Sequence, residues 1–170
     1  RLPEAENIYQ QILQSEPNHP TALHLLGVIA HQVGKNDTAV DLIARALVHN
    51  PDLAEAHSNL GLALQDLGKS EDAIASYRKA LGLKPNFAEV HNNLGIALQD
   101  LGKLEDALAS YHKALALNPD YAEAHNNLGN ALKDLGKLDE AVASYHKALA
   151  LNSDYPEVHN NLGNALKDLG

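Results

Sequence analysis

Histidine is the residue type in this sequence whose spacing first suggests a chemical role. Four of the 10 histidines recur at one constant interval, namely His57, His91, His125 and His159. Imidazole is a common metal ligand, but a metal site needs several ligand atoms about 2 Å from the ion. Neighbouring packed helices lie about 8–10 Å apart, which is too far for successive histidines to share one ion. We therefore interpret these histidines as partly buried packing residues, and we predict no metal site and no cofactor.

Asparagine recurs at the same interval, each time directly before a Leu-Gly pair. The four residues are Asn59, Asn93, Asn127 and Asn161. A carboxamide carries both hydrogen-bond donors and an acceptor, so one such side chain can pair with the N–H and the C=O of an extended peptide. A series of them would hold a peptide main chain with little dependence on its sequence. The alternative is that each asparagine bonds a neighbouring helix and ties repeats together, and the two roles are compatible.

Other kinds of chemistry have little support in the sequence. The chain has no cysteine, and Ser76, Ser110 and Ser144 recur without a base and an orienting group beside them. No phosphate-binding glycine motif is present. The net charge of −9 opposes binding to nucleic-acid phosphates, and no apolar stretch approaches the roughly 20 residues that span a bilayer. We expect a non-catalytic chain with no nucleic acid and no membrane insertion. The sequence leaves the location unknown and favours the cytoplasm.

An internal repeat of 34 residues determines the predicted architecture. Residues 88–121 and 122–155 align without a gap and differ at seven positions. The chain divides into a half-repeat, four full repeats and a second half-repeat, with boundaries at 1–19, 20–53, 54–87, 88–121, 122–155 and 156–170. Because both ends are half-repeats, we expect the chain to be part of a longer protein.

Each repeat is predicted to form two helices, because its apolar residues recur at spacings of three and four. Gly102 stands where the first helix should end with a positive φ. Gly95 lies on the apolar face and should let two helix backbones approach, while Tyr111 fills a wider gap. Capping boxes are predicted at the starts of the first helices. Their residue pairs are Asp52/Glu55, Asn86/Glu89, Asp120/Glu123 and Asp154/Glu157.

The pattern resembles the tetratricopeptide repeat family over essentially the whole chain. The residues that carry the resemblance are Leu94-Gly95, Ala107, Tyr111, Ala114 and Pro119, with matching sets in the other repeats. The resemblance implies an all-α fold, a right-handed α-solenoid or superhelix of stacked antiparallel helix hairpins. It also implies that the first helices line a concave groove and that the protein takes part in protein–protein interaction.

A narrower resemblance concerns the run HNNLGNALKDLG. It is similar to the superhelical repeat domain of O-linked N-acetylglucosamine transferases and their bacterial relatives, in which asparagines form a ladder that holds extended peptide. The resemblance implies a peptide-binding groove on the first helices. Its expected residues are Asn59, Asn93, Asn127, Asn161, Asn92, Asn126, Asn130, Gln65, Gln99 and Lys133.

The charged and polar residues of this groove limit the kinds of partner that we expect. Some family members bind acidic chaperone tails through lysine and arginine, whereas the corresponding face here carries Glu, Ser and Asn. Carboxylates repel an acidic tail, so we expect a protein or peptide segment that is neutral to mildly basic. Two alternatives to a simple scaffold are open: the substrate-recognition arm of a multidomain glycosyltransferase, and end-to-end self-association through the half-repeats.

Overall fold

The computed structural model describes residues 2–170, which form ten α-helices and no β-strand. Arg1, the first residue of the predicted half-repeat 1–19, lies outside the described residues. Within residues 2–170, no helix combines the length and the apolar character needed to cross a membrane. The helices are α1 (Leu2–Ser15), α2 (Pro20–Gln32), α3 (Asn36–His49), α4 (Ala54–Asp66), α5 (Ser70–Leu83), α6 (Ala88–Asp100), α7 (Leu104–Leu117), α8 (Ala122–Asp134), α9 (Leu138–Leu151) and α10 (Pro156–Leu169).

The chain forms two compact units, residues 2–85 and Asn86–Gly170. In the first unit, α2 packs against α3 and α4 against α5, and α3 joins the two hairpins by packing on α4. In the second unit, α6/α7 and α8/α9 are the hairpins, α7 packs on α8, and α9 packs on α10. The first helices also contact each other within each unit, as α2 with α4 and α6 with α8. The predicted all-α fold of stacked helix hairpins is confirmed.

The second residue after the first helix of each hairpin is a glycine with left-handed backbone. After α6, Gly102 has a φ of 69°; its N–H donates to the Gln99 carbonyl at 2.8 Å, and the Lys103 N–H donates to the Leu98 carbonyl at 2.9 Å. This pair of bonds satisfies carbonyls that the helix end leaves open. Glycine adopts this φ without the steric cost that a Cβ atom brings. The predicted helix ends are therefore confirmed.

The predicted capping boxes at the starts of the first helices are wrong. The N-cap residues are Leu53, Phe87, Tyr121 and Tyr155, and none of them caps its helix through a side chain. Each predicted cap, such as Asp52, precedes the N-cap by one residue, so its carboxylate is not at the capping position. Glu55 instead forms an ion pair with Lys84, with 3.0 Å between Oε1 and Nζ.

A tyrosine–glycine contact fills the core of three hairpins, and in the α2/α3 hairpin Ile43 takes the place of the tyrosine. The rings of Tyr77, Tyr111 and Tyr145 are fully buried in the second helices. A Cβ atom added at Gly95 would lie 2.5 Å from Cε1 of Tyr111. The glycine therefore makes room for the aromatic ring of its own hairpin, which is a more specific role than the close backbone approach predicted from the sequence.

The first-helix face

The predicted site residues lie on the first helices. We call this surface the first-helix face: α2 and α4 in residues 2–85, and α6, α8 and α10 in Asn86–Gly170. Three of the predicted residues are buried, namely Asn92, Asn93 and Asn126. The others are half-buried, namely Asn59, Gln65, Gln99, Asn127, Asn130, Lys133 and Asn161. The face is therefore a surface of partly accessible amides with buried amides beneath it.

Three of the four recurring asparagines bond the neighbouring first helix, whereas Asn93 accepts from Asn92 of its own helix at 3.5 Å. In the second unit, Asn127 Nδ2 donates to Asn92 Oδ1 at 3.0 Å, and Asn161 Nδ2 donates to Asn126 Oδ1 at 3.1 Å. Both pairs are separated by 35 residues, one repeat plus one position. These bonds satisfy amides that are buried or half-buried, which would otherwise be costly to desolvate. The tying role left open by the sequence is therefore present in the structure.

A histidine takes the acceptor position in the first unit. Asn59 Nδ2 lies 2.9 Å from Nε2 of His24, again 35 residues away. His24 occupies the place in its repeat that Asn92 and Asn126 occupy in theirs. Sequence reasoning missed this residue because it looked for an asparagine ladder; the signal that could have found it is the constant offset between the paired positions.

A second row of inter-repeat bonds runs near the other end of the first helices. In the second unit, Gln99 Nε2 donates to Asp134 Oδ2 at 2.8 Å. In the first unit, His31 Nε2 lies 2.9 Å from Asp66 Oδ2, with the same offset of 35 residues. Each of these two aspartates is thus paired with a side chain of the preceding repeat and is not an isolated surface charge.

The buried tyrosines reach this face with their hydroxyl groups. Tyr111 Oη donates to Gln99 Oε1 at 3.0 Å, and Tyr145 Oη donates to Asn130 Oδ1 at 2.8 Å. The acceptor changes because Lys133 stands in α8 where α6 has Gln99, and a lysine cannot accept a hydrogen bond. The two predicted site residues Asn130 and Gln99 therefore also orient a core aromatic ring.

Burial keeps these hydroxyl groups protonated. It raises the pKa of Tyr145 to about 12, and the nearby Asp134 carboxylate adds to the effect. Burial likewise raises the pKa of Tyr111, with smaller contributions from Asp100 and Asp134. Each hydroxyl therefore stays a hydrogen-bond donor well into the alkaline range.

The recurring histidines bind the carbonyl at the end of the preceding second helix. His57 Nε2 lies 2.9 Å from the Pro51 carbonyl oxygen, and His125 Nε2 lies 3.0 Å from that of Pro119. Both rings are buried, so the packing interpretation is confirmed for them; His159 makes the same kind of bond but is exposed. Within residues 2–170, no three His, Asp or Glu side chains are grouped so as to hold a metal ion.

Stability should depend on pH through His24. Burial lowers its pKa below the ordinary 6.5, and the Glu55 carboxylate opposes this only in part. As the pH falls, the unfolded chain takes up the proton first, so the stabilisation is present above pH 6.5 and is lost as the pH falls through the folded-state pKa. A protonated ring also cannot accept from Asn59, a bond worth about 0.5–1.5 kcal/mol. Urea unfolding between about pH 8 and about pH 5 measures this loss.

The matched variant is His24→Asn, because asparagine is the natural residue at this position in the second unit. It should keep the hydrogen bond to Asn59, as the 3.0 Å pair of Asn127 and Asn92 does, and remove the pH-dependent part. An equal fall in stability with pH in the two proteins would show that His24 is not the group responsible.

Matches to known family models cover almost the whole chain. A family model described as TPR repeat matches residues 66–102, 99–136 and 129–170, and one described as tetratricopeptide repeat matches residues 1–63. Among curated proteins there is no match.

Several solved structures share the fold. The chain is 26% identical to MamA with a TM-score of 0.82, over 87% of this chain and 86% of that one. It is 26% identical to TTC0263, a thermophilic TPR protein of Thermus thermophilus, with a TM-score of 0.77 over 98% and 91% of the two chains. YrrB, at 22% identity and a TM-score of 0.82 over 94% and 82%, shares the fold. The protein therefore belongs to the tetratricopeptide repeat family.

Proposed function

We propose that this chain is a non-catalytic interaction scaffold that binds an extended peptide along the first-helix face of Asn86–Gly170. Proteins built from this repeat are scaffolds for protein and peptide binding. YrrB is described as a TPR protein with an unusual peptide-binding site. We assign this general activity, the binding of proteins and peptides, to a particular set of side chains of this chain.

The main support for the proposal is that two side-chain amides use only part of their hydrogen-bonding capacity. Asn127 and Asn161 are half-buried, and each donates one N–H to the first helix of the preceding repeat. Among the described residues, the carbonyl oxygen and the second N–H of each side chain have no hydrogen-bond partner. One acceptor and one donor therefore remain on each side chain, which is what a peptide main chain needs.

The charges around these amides favour the partner predicted from the sequence. Glu89, Asp100 and Glu123 are exposed on the same face, and Lys133 is half-buried among them. Carboxylates outnumber cations here, so a segment with free carboxylates would be repelled, a neutral segment would not be, and a mildly basic segment would be attracted. We propose that charge selects the class of segment and that the amides hold its main chain.

Replacing Asn127 with alanine should weaken peptide binding about 5- to 150-fold, because it removes two main-chain hydrogen bonds that are each worth about 0.5–1.5 kcal/mol. The probe is a fluorescent peptide about twelve residues long, made of Ser and Thr with two Lys, and its binding is measured by fluorescence anisotropy. The same peptide with methylated backbone nitrogens should bind weakly to the unaltered protein, because it lacks the main-chain N–H groups.

The matched control is Asn92→Ala. This change breaks the same inter-helix bond as Asn127→Ala but keeps the Asn127 amide that the peptide would use. Asn92 itself is buried, so we do not place it among the side chains that contact the peptide. Binding should survive in Asn92→Ala and fall in Asn127→Ala. Equal losses in the two variants would mean that the amide serves only to tie repeats together.

Two alternatives stay predictions. They are the substrate-recognition arm of an O-linked N-acetylglucosamine transferase-like enzyme and end-to-end self-association. A nucleotide-sugar-binding α/β domain encoded in the same open reading frame would favour the first of these.

A further inference from the structure

Each unit contains an apolar hollow between the C-terminal halves of its second helices. In residues 2–85 the hollow lies between α3 and α5 and has a volume of about 570 Å³. In Asn86–Gly170 it lies between α7 and α9 and has a volume of about 610 Å³. Leu47, Leu60 and Leu83 line the first hollow, and Leu115, Leu128 and Leu151 line the second at the same positions two repeats later. The hollow is therefore a property of the repeat.

The hollows expose apolar surface that the fold itself does not cover. Leu83 is 42% exposed and Leu151 is 41% exposed, and Val48 at the edge of the first hollow is 78% exposed. Volumes of about 300–1,000 Å³ are typical of ligand-binding clefts. The floor includes the buried rings of His57 and His125, already bonded to backbone carbonyls. The surface is apolar, preformed and separate from the amides of the first-helix face.

Each hollow also has a lysine in its wall, at equivalent positions Lys79 and Lys147. Both lysines are exposed, and neither has an acidic partner among the described residues. The surrounding helix halves, residues 73–84 and 141–152, contain no Asp or Glu. Cations near helix C-termini are favourable in any case, but these two lysines line apolar hollows on a chain of net charge −9. The acidic residues next to the lining in sequence are Asp52 and Asp120, which follow Pro51 and Pro119.

We propose that these hollows bind an acidic peptide segment that carries a large apolar side chain. The apolar side chain would fill the hollow, and a neighbouring carboxylate would pair with Lys79 or Lys147. Burying the apolar surface supplies affinity, and the charge pair supplies specificity against basic segments. This partner has the opposite charge from the one proposed for the first-helix face, so the scaffold would hold two different partners.

The chain offers a way to fill both hollows without touching the core. Gly82 and Ala150 line the two hollows at equivalent positions, and both are exposed. A Cβ atom at Gly82 would meet nothing within 4 Å. The double variant Gly82→Phe/Ala150→Phe should therefore fold normally and place a ring in each hollow.

The probe is a fluorescein-labelled peptide of sequence Glu-Asp-Glu-Phe-Leu-Glu-Asp-Glu, with binding followed by fluorescence anisotropy and folding by circular dichroism. The Phe double variant should bind it at least about 10-fold more weakly, a change equal to about 1.4 kcal/mol, with an unchanged melting temperature. The double variant Lys79→Glu/Lys147→Glu should show a similar loss. The control Lys69→Glu/Lys137→Glu makes the same charge change in two turns outside the hollows and should bind like the unaltered protein.

Three results would overturn the proposal: unchanged affinity in the Phe double variant, equal losses in the two charge-reversal variants, or equal binding of a peptide with Ala in place of Phe-Leu. The proposal is independent of the one made for the first-helix face. Asn127→Ala should leave acidic-peptide binding unchanged, so the failure of either proposal can be recognised separately.

Discussion

Replacing Tyr111 with alanine should lower the free energy of unfolding by about 3–5 kcal/mol, the range for removing a large aromatic side chain from a core. The ring is fully buried, and it packs against Gly95, which has no side chain to move into the space left behind. Its hydroxyl also donates to Gln99, so the change removes both apolar contacts and a hydrogen bond. Urea unfolding followed by circular dichroism measures the loss.

Tyr111→Phe separates these two contributions. Phenylalanine keeps the ring but loses the hydrogen bond to Gln99, and it should cost only about 0.5–1.5 kcal/mol. A Phe variant as unstable as the Ala variant would mean that the hydroxyl network, rather than ring packing, holds the hairpin together.

Replacing Gly95 with alanine should destabilise the protein by about 1–3 kcal/mol, the usual cost of overpacking a filled core. The new Cβ atom would lie 2.5 Å from Cε1 of Tyr111, so the buried ring would have to shift. The matched control is Gly163→Ala at the same position in α10, where a Cβ atom meets nothing within 4 Å. That change should stabilise the helix by about 0.5–1 kcal/mol.

The two changes at Gly95 and Tyr111 should be strongly coupled. In a Tyr111→Ala background, the Cβ atom of Gly95→Ala enters space left by the ring, so most of its cost should disappear. If Gly95→Ala costs the same in both backgrounds, glycine is needed at this position for its backbone conformation and not to make room for the Tyr111 ring. Urea unfolding of the four proteins decides between these outcomes.

The fold was predictable because every repeat carries the same helix signals. Gly102 and its equivalents mark where first helices end, and the regular apolar spacing marks which faces are buried. The helix starts were less predictable. A carboxylate such as Asp52 followed three residues later by Glu55 matches a capping box, but the chain enters the helix one residue later, at Leu53. The backbone N–H of Asp52, which a capping box would pair with Glu55, donates to Asn50 Oδ1, and Glu55 pairs with Lys84.

The residues of the candidate site could be predicted from the sequence, but their hydrogen-bond partners could not. The sequence shows that Asn127 recurs in phase with its equivalents, but its partner depends on how far one first helix is displaced along the next. That displacement comes from packing of whole hairpins, and it brings Asn127 to Asn92. The hollows were missed for a related reason, because Lys79 and Leu83 look like ordinary surface residues until two second helices are placed side by side.

The offset of the inter-repeat bonds has a consequence for how such proteins evolve. Each bond joins a residue to the one 35 positions earlier, so it relates one place in a repeat to the place one position before its equivalent in the preceding repeat. If a recombination event removed residues 122–155, Asn161 would meet Asn92, which already accepts a bond from an equivalent asparagine. A gene can thus shorten or lengthen this part of the array by whole repeats of 34 residues and keep the amide bonds between first helices, whereas a deletion of another length would leave buried amides unpaired.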